Sequence, residues 1–176
     1  MRLNKPLFVL FFFIGTIVQA QKINLPVVMA EAEKQTSLML REIPIARGDK
    51  AELVSPRTIE NGQLKLVSSR DWTSGFFPGV LWMLYEYTGK EEWKTQAQQF
   101  TSNLEVEKTN STTHDMGFKI YCSFGSGFKL TQDPHYKEVI IEAAKTLSTR
   151  FNPTVGAIRS WDHHKDVWGF PVIIDN

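Results

Sequence analysis

The chain has 176 residues, with 42% hydrophobic and 22% charged residues and a formal net charge of +1. That is enough for one globular domain, and the near-neutral balance gives no footprint for nucleic acid. The single cysteine, Cys122, excludes an internal disulfide, and without a CxxC or spaced His/Cys cluster no metal is expected.

The first twenty residues read as a leader. Arg2 and Lys5 precede the apolar run Pro6 to Val18, and Val18-Gln19-Ala20 is a small-x-small cleavage signal. The run is shorter than the ~20 residues that span a bilayer. The expected organisation is therefore a signal peptide at 1–20 and a domain at 21–176, periplasmic or secreted, with no membrane contact after cleavage. Without Arg2 and Lys5 the balance becomes 18 basic against 19 acidic residues.

Helical periodicity dominates the rest of the chain. A first helix is predicted over Val27 to Arg41, ending before Pro44. A loop with Gly48, Pro56 and Asn61-Gly62 comes next; the short segment LKLVSS within it is strand or extended chain. Phe77 to Tyr87 is nearly all apolar, as in a helix buried on most sides. Thr88-Gly89 ends it, and Lys90 to Glu107 reads as an amphipathic helix.

The pair then repeats. Tyr85 to Leu104 aligns with Phe128 to Leu147 at an offset of 43 residues, placing Thr88 on Thr131 and Trp93 on Tyr136. Helix pairs at this period make a solenoid or a closed toroid. Alternation of apolar inner with amphipathic outer helices favours the toroid. The expected fold class is all-α: the N-terminal part of an (α/α)6 barrel, left incomplete because five helices and part of a sixth cannot close six pairs. A complete, short helical domain is the alternative.

At the same offset Asp71-Trp72 falls on His114-Asp115, both pairs just ahead of an inner helix. Inner helices of a barrel start at one end, so these residues should converge on a mouth. A third such start is expected at VWGFPVIIDN, bringing in Asp175. The long insertion Asn152 to Gly169 carries Arg159, Trp161, His163, His164 and Trp168, and long loops on regular scaffolds commonly carry function.

Asp115 can be an N-cap or a catalytic carboxylate. Asp175, after Val-Ile-Ile, can cap a helix or be buried for a purpose. Together, two carboxylates at one mouth suggest general acid/base and glycoside chemistry. Trp72 and Trp161 suit stacking on sugar rings, whereas Trp82 and Trp93 read as core.

The motifs RDWTSGFFPGVLWMLYEYTG, THDMGF and WGFPVIIDN, with RSWDH between the second and third, resemble the N-terminal motifs of the unsaturated glucuronyl hydrolases. The resemblance covers roughly Val27 to Asn176. It implies an (α/α)6-barrel glycoside hydrolase that needs no cofactor and removes a 4,5-unsaturated uronic acid from oligosaccharides left by polysaccharide lyases. It further implies Asp175 as general acid/base and Asp115 as the second essential aspartate. His114, Trp72 and Trp161 match positions that line the pocket. From its residue type, Arg159 is a candidate holder of an anionic substrate. The missing C-terminal half leads to the expectation that this chain alone is inactive. A non-catalytic helical-repeat module binding sugar or protein is the competing reading.

Overall fold

The computed structural model describes residues 23–164 and 166–174. The leader at 1–20, and the positions Asp175 and Asn176, lie outside the described residues.

Helix α1 spans Leu25–Arg47. Asn24 caps it by accepting the Val27 N–H, and Pro26 in the first turn costs nothing because that N–H has no partner there. The helix runs through Pro44 instead of ending before it. Pro44 lies on the exposed face, so water can satisfy the carbonyl its ring leaves free, while neighbouring Ile43 is buried. Gly48, at φ 53°, closes the helix.

The next loop contains a β-hairpin. Strands β1 (Ser55–Glu60) and β2 (Gln63–Val67) are antiparallel and joined by Asn61-Gly62, both at positive φ as a tight primed turn requires. A bulge between Pro56 and Thr58 interrupts the register. Arg57 in this bulge reaches Asp71 at 2.9 Å.

The two predicted helix pairs are present. The first is α2 (Phe76–Thr88) with α3 (Glu91–Ser102). The second joins a π-helical segment, Gly117–Gly125, that continues as α4 (Ser126–Thr131), with α5 (Pro134–Ser148). The expected helix to Glu107 stops earlier: after Ser102 the chain turns and forms a 3-10 turn over Glu105–Thr109.

The 43-residue period is visible in the contacts. Thr88 and Thr131 each donate a hydroxyl to the carbonyl four residues back and accept the N–H two residues on. Gly89 and Gln132, the next residue in each repeat, both take the left-handed conformation. Lys129 Nζ donates to Glu86 Oε1 at 2.7 Å. Gly79 faces the carbonyl of Cys122, and Gly75 faces the backbone of Phe118 and Lys119. All these facing pairs are 43 residues apart or nearly so, so the two inner helices run parallel, side by side and in register.

Outer helices α3 and α5 cover them. Trp82, Trp93, Phe100, Leu104, Phe124, Tyr136 and Val139 form the core between the layers. Trp82 Nε1 donates to Thr101 Oγ1 at 3.0 Å, and Trp93 Nε1 to Glu33 Oε1 at 2.8 Å, so both tryptophans are structural, as the sequence implies. Contrary to burial on most sides, α2 leaves Phe76, Val80, Met83 and Tyr87 exposed along one face. Spacings of four, three and four residues make this an apolar stripe.

A buried ion pair joins the elements at the end where both inner helices begin. Lys119 and Glu107 side chains are 0% and 3% exposed, and Nζ to Oε2 is 3.0 Å. Lys119 Nζ also donates to the Arg70 carbonyl; Glu107 also accepts from Ser69 and Asn110. Burial alone would raise the Glu107 carboxyl, but Asn110, Ser69 and Lys119 outweigh it and hold it below the usual range.

Beyond α5 a short hairpin, β3 (Phe151–Asn152) with β4 (Ala157–Ile158), opens the insertion, so the segment is not plain loop throughout. No helix begins among the described residues of 170–174; Pro171 and Ile173 instead hydrogen-bond Ser160 as extended chain.

A Cβ at position 75 would collide with the Phe118 and Lys119 backbone, which cannot yield as a side chain can. Gly75→Ala should therefore cost about 3 kcal/mol or more in urea unfolding. Lys119→Met should cost about 3–5 kcal/mol by leaving Glu107 buried and unpaired, and the double change Lys119→Met/Glu107→Leu should recover much of that loss.

Candidate active site

His114 and Asp115 stand just ahead of the π-helical segment. The Asp115 carboxylate accepts the Thr113 hydroxyl, and the Thr113 oxygen in turn accepts the Asp115 N–H at 3.1 Å. This reciprocal turn fixes the carboxylate. No backbone N–H of the described residues donates to it, so Asp115 does not cap its helix; Thr113 holds it in another direction. Its side chain stays 21% exposed. Asp71, one position ahead of the repeat equivalent of Asp115, accepts the Thr73 N–H and hydroxyl and pairs with Arg57.

The His114 side chain is buried, with Nε2 3.4 Å from Asp115 Oδ1. That contact becomes an ion pair only when the ring is protonated. The His114 N–H donates to the Ser160 carbonyl, which brings the backbone of the insertion, and Trp161 next to it, against the inner helix start. His114 Nδ1 and Trp161 Nε1 are both buried with no partner among the described residues. Such groups mark either strain or function.

Two aromatic groups flank this turn. Trp72 packs edge-on against Phe76 and Phe118, at centroid distances of 5.8 and 5.7 Å. Phe118 lies three residues past Asp115, so Trp72, the repeat equivalent of Asp115, adjoins the same helix start. On the other side Trp161 stacks on His163 at 5.4 Å and meets Trp168 edge-on. His164, at φ 53°, closes the cluster. The paired histidines are thus absorbed by aromatic packing, and the described residues contain no group of three or more His, Cys, Asp or Glu suited to a metal ion.

Arg159 points elsewhere. Its Nη1 lies 3.2 Å from Asp162 Oδ1, and its guanidinium covers the Phe170 ring at 4.8 Å. Asp162 also takes Arg150 Nη1 at 2.7 Å. Arg150 holds the Ser111 and Arg159 carbonyls as well, so it fastens the insertion to the end of α5.

The structure thus gathers Trp72, His114, Asp115 and Trp161 at one end of the parallel inner helices. Asp175 lies outside the described residues. Thr113 and Phe118 lie within THDMGF and Asp162 within RSWDH, but neither these three nor Arg150 is assigned a site role from the sequence. For Thr113 a signal is present: a hydroxyl two residues before an aspartate is a turn-forming pattern.

No family model matches the chain. An unsaturated glucuronyl hydrolase of Formosa agariphila is 63% identical over 113 residues, 62% of this chain and 28% of that protein. By sequence and by fold, the chain is similar to part of the unsaturated glucuronyl hydrolases. A crystal structure of an unsaturated glucuronyl hydrolase specific for heparin superposes with a TM-score of 0.68 at 39% identity, over 82% of this chain and 38% of that one. An unsaturated chondroitin disaccharide hydrolase of Streptococcus pyogenes serotype M1 is 29% identical over 134 residues, 72% of this chain and 32% of that protein. The chain therefore spans about a third of the length of these relatives. The two-layer helical fold is the α/α-barrel arrangement of the unsaturated glucuronyl hydrolases.

Hydrogen bonds from Arg150 hold the Asp162 carboxyl below the usual aspartate range, against burial, with Arg159 adding to the effect. A depressed folded-state pKa means that the stabilisation is full above the unfolded value of about 4 and is lost as pH falls through the lower folded value. Acidification through that window should loosen the insertion and change the near-UV circular dichroism of the Trp161 and Trp168 cluster. Asp162→Asn should show the loosened spectrum already at neutral pH.

Proposed function

We propose that this chain provides the mouth of a hydrolase that removes a 4,5-unsaturated uronic acid from the non-reducing end of lyase-generated oligosaccharides. The observation that carries the reading is the Asp115 turn: a partly exposed carboxylate, locked by Thr113, beside a buried histidine and between two aromatic groups. The Formosa agariphila relative carries the name of that activity.

The substrate is a vinyl ether. A proton delivered to C4 leaves an oxocarbenium at C5, and water adds there. The carboxylate that gave the proton regains one from the water. The hemiketal so formed opens and expels the neighbouring sugar. Asp175 takes the general acid/base role, and Asp115 positions the substrate and assists the proton movement. Trp72 and Trp161 supply apolar faces for the sugar ring, and His114 lines the pocket beside Asp115. Written this way, the hydration itself consumes no metal or nucleotide. The apolar leader-like run Pro6 to Val18 supports export to the periplasm or the medium.

The test uses an unsaturated disaccharide from a polysaccharide lyase and follows loss of the conjugated C=C absorbance, in the protein that carries this chain. Asp175→Asn and Asp115→Asn should each lower the rate by about 100-fold or more with the circular dichroism of the fold retained. Undiminished turnover in either variant contradicts the role given to that aspartate. Saturable sugar binding without turnover in the unmodified protein would favour a binding module instead.

A further inference from the structure

The Asp115 carboxylate has two oxygens, and the fold treats them differently. Oδ2 accepts the Thr113 hydroxyl, and the Thr113 oxygen accepts the Asp115 N–H at 3.1 Å. Oδ1 accepts no hydrogen bond from the described residues. Its neighbour is the buried ring of His114, whose Nε2 lies 3.4 Å away, beyond ordinary hydrogen-bond length.

The direction of the Thr113 bond is fixed. The hydroxyl has one proton, its oxygen already accepts the Asp115 N–H, and an ionised carboxylate only accepts, so that proton is committed to Oδ2. A second proton placed on Oδ2 would meet it in the same gap, and one of the two would have to turn away. A proton on Oδ1 leaves the turn intact.

The first repeat supplies the contrast. Asp71 also stands ahead of an inner helix, but its threonine, Thr73, lies two residues after it and gives both its N–H and its hydroxyl to Oδ1. Arg57 takes Oδ2 at 2.9 Å. Both oxygens of Asp71 are therefore engaged by the protein, and only one of Asp115.

We propose that Thr113 is a positioning residue that divides the work of the two Asp115 oxygens: Oδ2 anchors the side chain to the turn, and Oδ1 is the oxygen that acts on the substrate. Thr113 itself touches no reacting atom. It acts by holding one rotamer of the carboxylate, and a misplacement of about 1 Å in a reacting group is enough to cost up to ~100-fold in rate. The inference rests on the hydrolytic reading, since it concerns how Asp115 does the work assigned to it there.

The test is a double-mutant cycle on kcat/KM, with the unsaturated disaccharide and the protein that carries this chain. Thr113→Val keeps the shape and removes the hydroxyl, and it should lower kcat/KM by about tenfold or more. Thr113→Ser keeps the hydroxyl and should recover most of that loss. In an Asp115→Asn background Thr113→Val should change the rate by less than about twofold, because its effect passes through a carboxylate that is no longer there. An equal loss in Thr113→Ser and Thr113→Val, or a full further loss on top of Asp115→Asn, means a merely structural role and overturns the inference. An undiminished Thr113→Val beside an impaired Asp115→Asn also overturns it, and leaves the hydrolytic reading standing. Undiminished turnover in Asp115→Asn removes the role of Asp115 itself, and the inference with it. Should Thr113→Val fail to fold, Thr113→Ala removes the hydroxyl without added bulk and is read in the same way.

Discussion

The site end of the molecule depends on one buried ion pair, Lys119 with Glu107. Neither group can be left alone at that depth, because an isolated charge in a protein interior costs several kcal/mol. Each is therefore surrounded: the Arg70 carbonyl takes the ammonium, and Ser69 and Asn110 complete the carboxylate. These partners come from three separate stretches: the turn ahead of α2, the 3-10 turn and the π-helical segment. Ser74 and Ser55 extend the network to the hairpin, through bonds of 2.9 and 2.7 Å. Satisfying one pair of charges thus fixes the start of one inner helix against the start of the next. The candidate site residues Trp72 and Asp115 lie at those two starts.

The glycines make that arrangement possible. Gly75 and Gly79 lie one turn apart on the face of α2 that meets the π-helical segment, and the partner backbone comes too close for a side chain at Gly75. Gly127 plays the matching part further along, where Trp82 and Tyr136 occupy the space a Cβ would need. The inner helices therefore pack backbone to backbone at these glycines, and both layers fill the core between them, with Phe77, Leu81, Trp82 and Phe124 on the inner side. This arrangement explains why the inner pair is apolar yet rich in small residues, while α3 and α5 carry Trp93, Phe100, Tyr136 and Val139 on one face each.

The repeat also shows how one scaffold carries two kinds of residue. Asp71 and Asp115 are both aspartates ahead of an inner helix, but they do different things. Asp71 ties its own turn and Arg57, and so is consumed by structure. Asp115 is held by one hydroxyl and remains partly open. A carboxylate with acceptor capacity to spare, beside a buried imidazole, is what proton chemistry requires. On α2 the exposed face of Phe76, Val80, Met83 and Tyr87 continues the aromatic surface of Trp72 along the inner helix.

The sequence by itself determined the helix pairs, their 43-residue period and the turn chemistry at Thr88 and Thr131, because these rest on local periodicity and local hydrogen bonds. It also placed Trp72 beside His114 and Asp115, since parallel inner helices bring equivalent positions to one end, whereas Trp161 was legible only through the insertion and the motif it shares with the hydrolases. Other features were decided only by tertiary structure. Continuation of α1 through Pro44 depends on which face meets water. The π-helical geometry of Gly117–Gly125 leaves no mark in a residue pattern that reads as an ordinary apolar helix. Lys119 interrupts an apolar run, and the partner that helical spacing offers is Asp115, four residues back; its actual partner, Glu107, follows a helix that ends earlier than its periodicity suggests. Arg159 is legible as a free cation, but the fold gives it Asp162 and Phe170. Each of these depends on contacts between residues distant in the chain or on the solvent each face meets, and those are fixed only when charges and backbones meet in space.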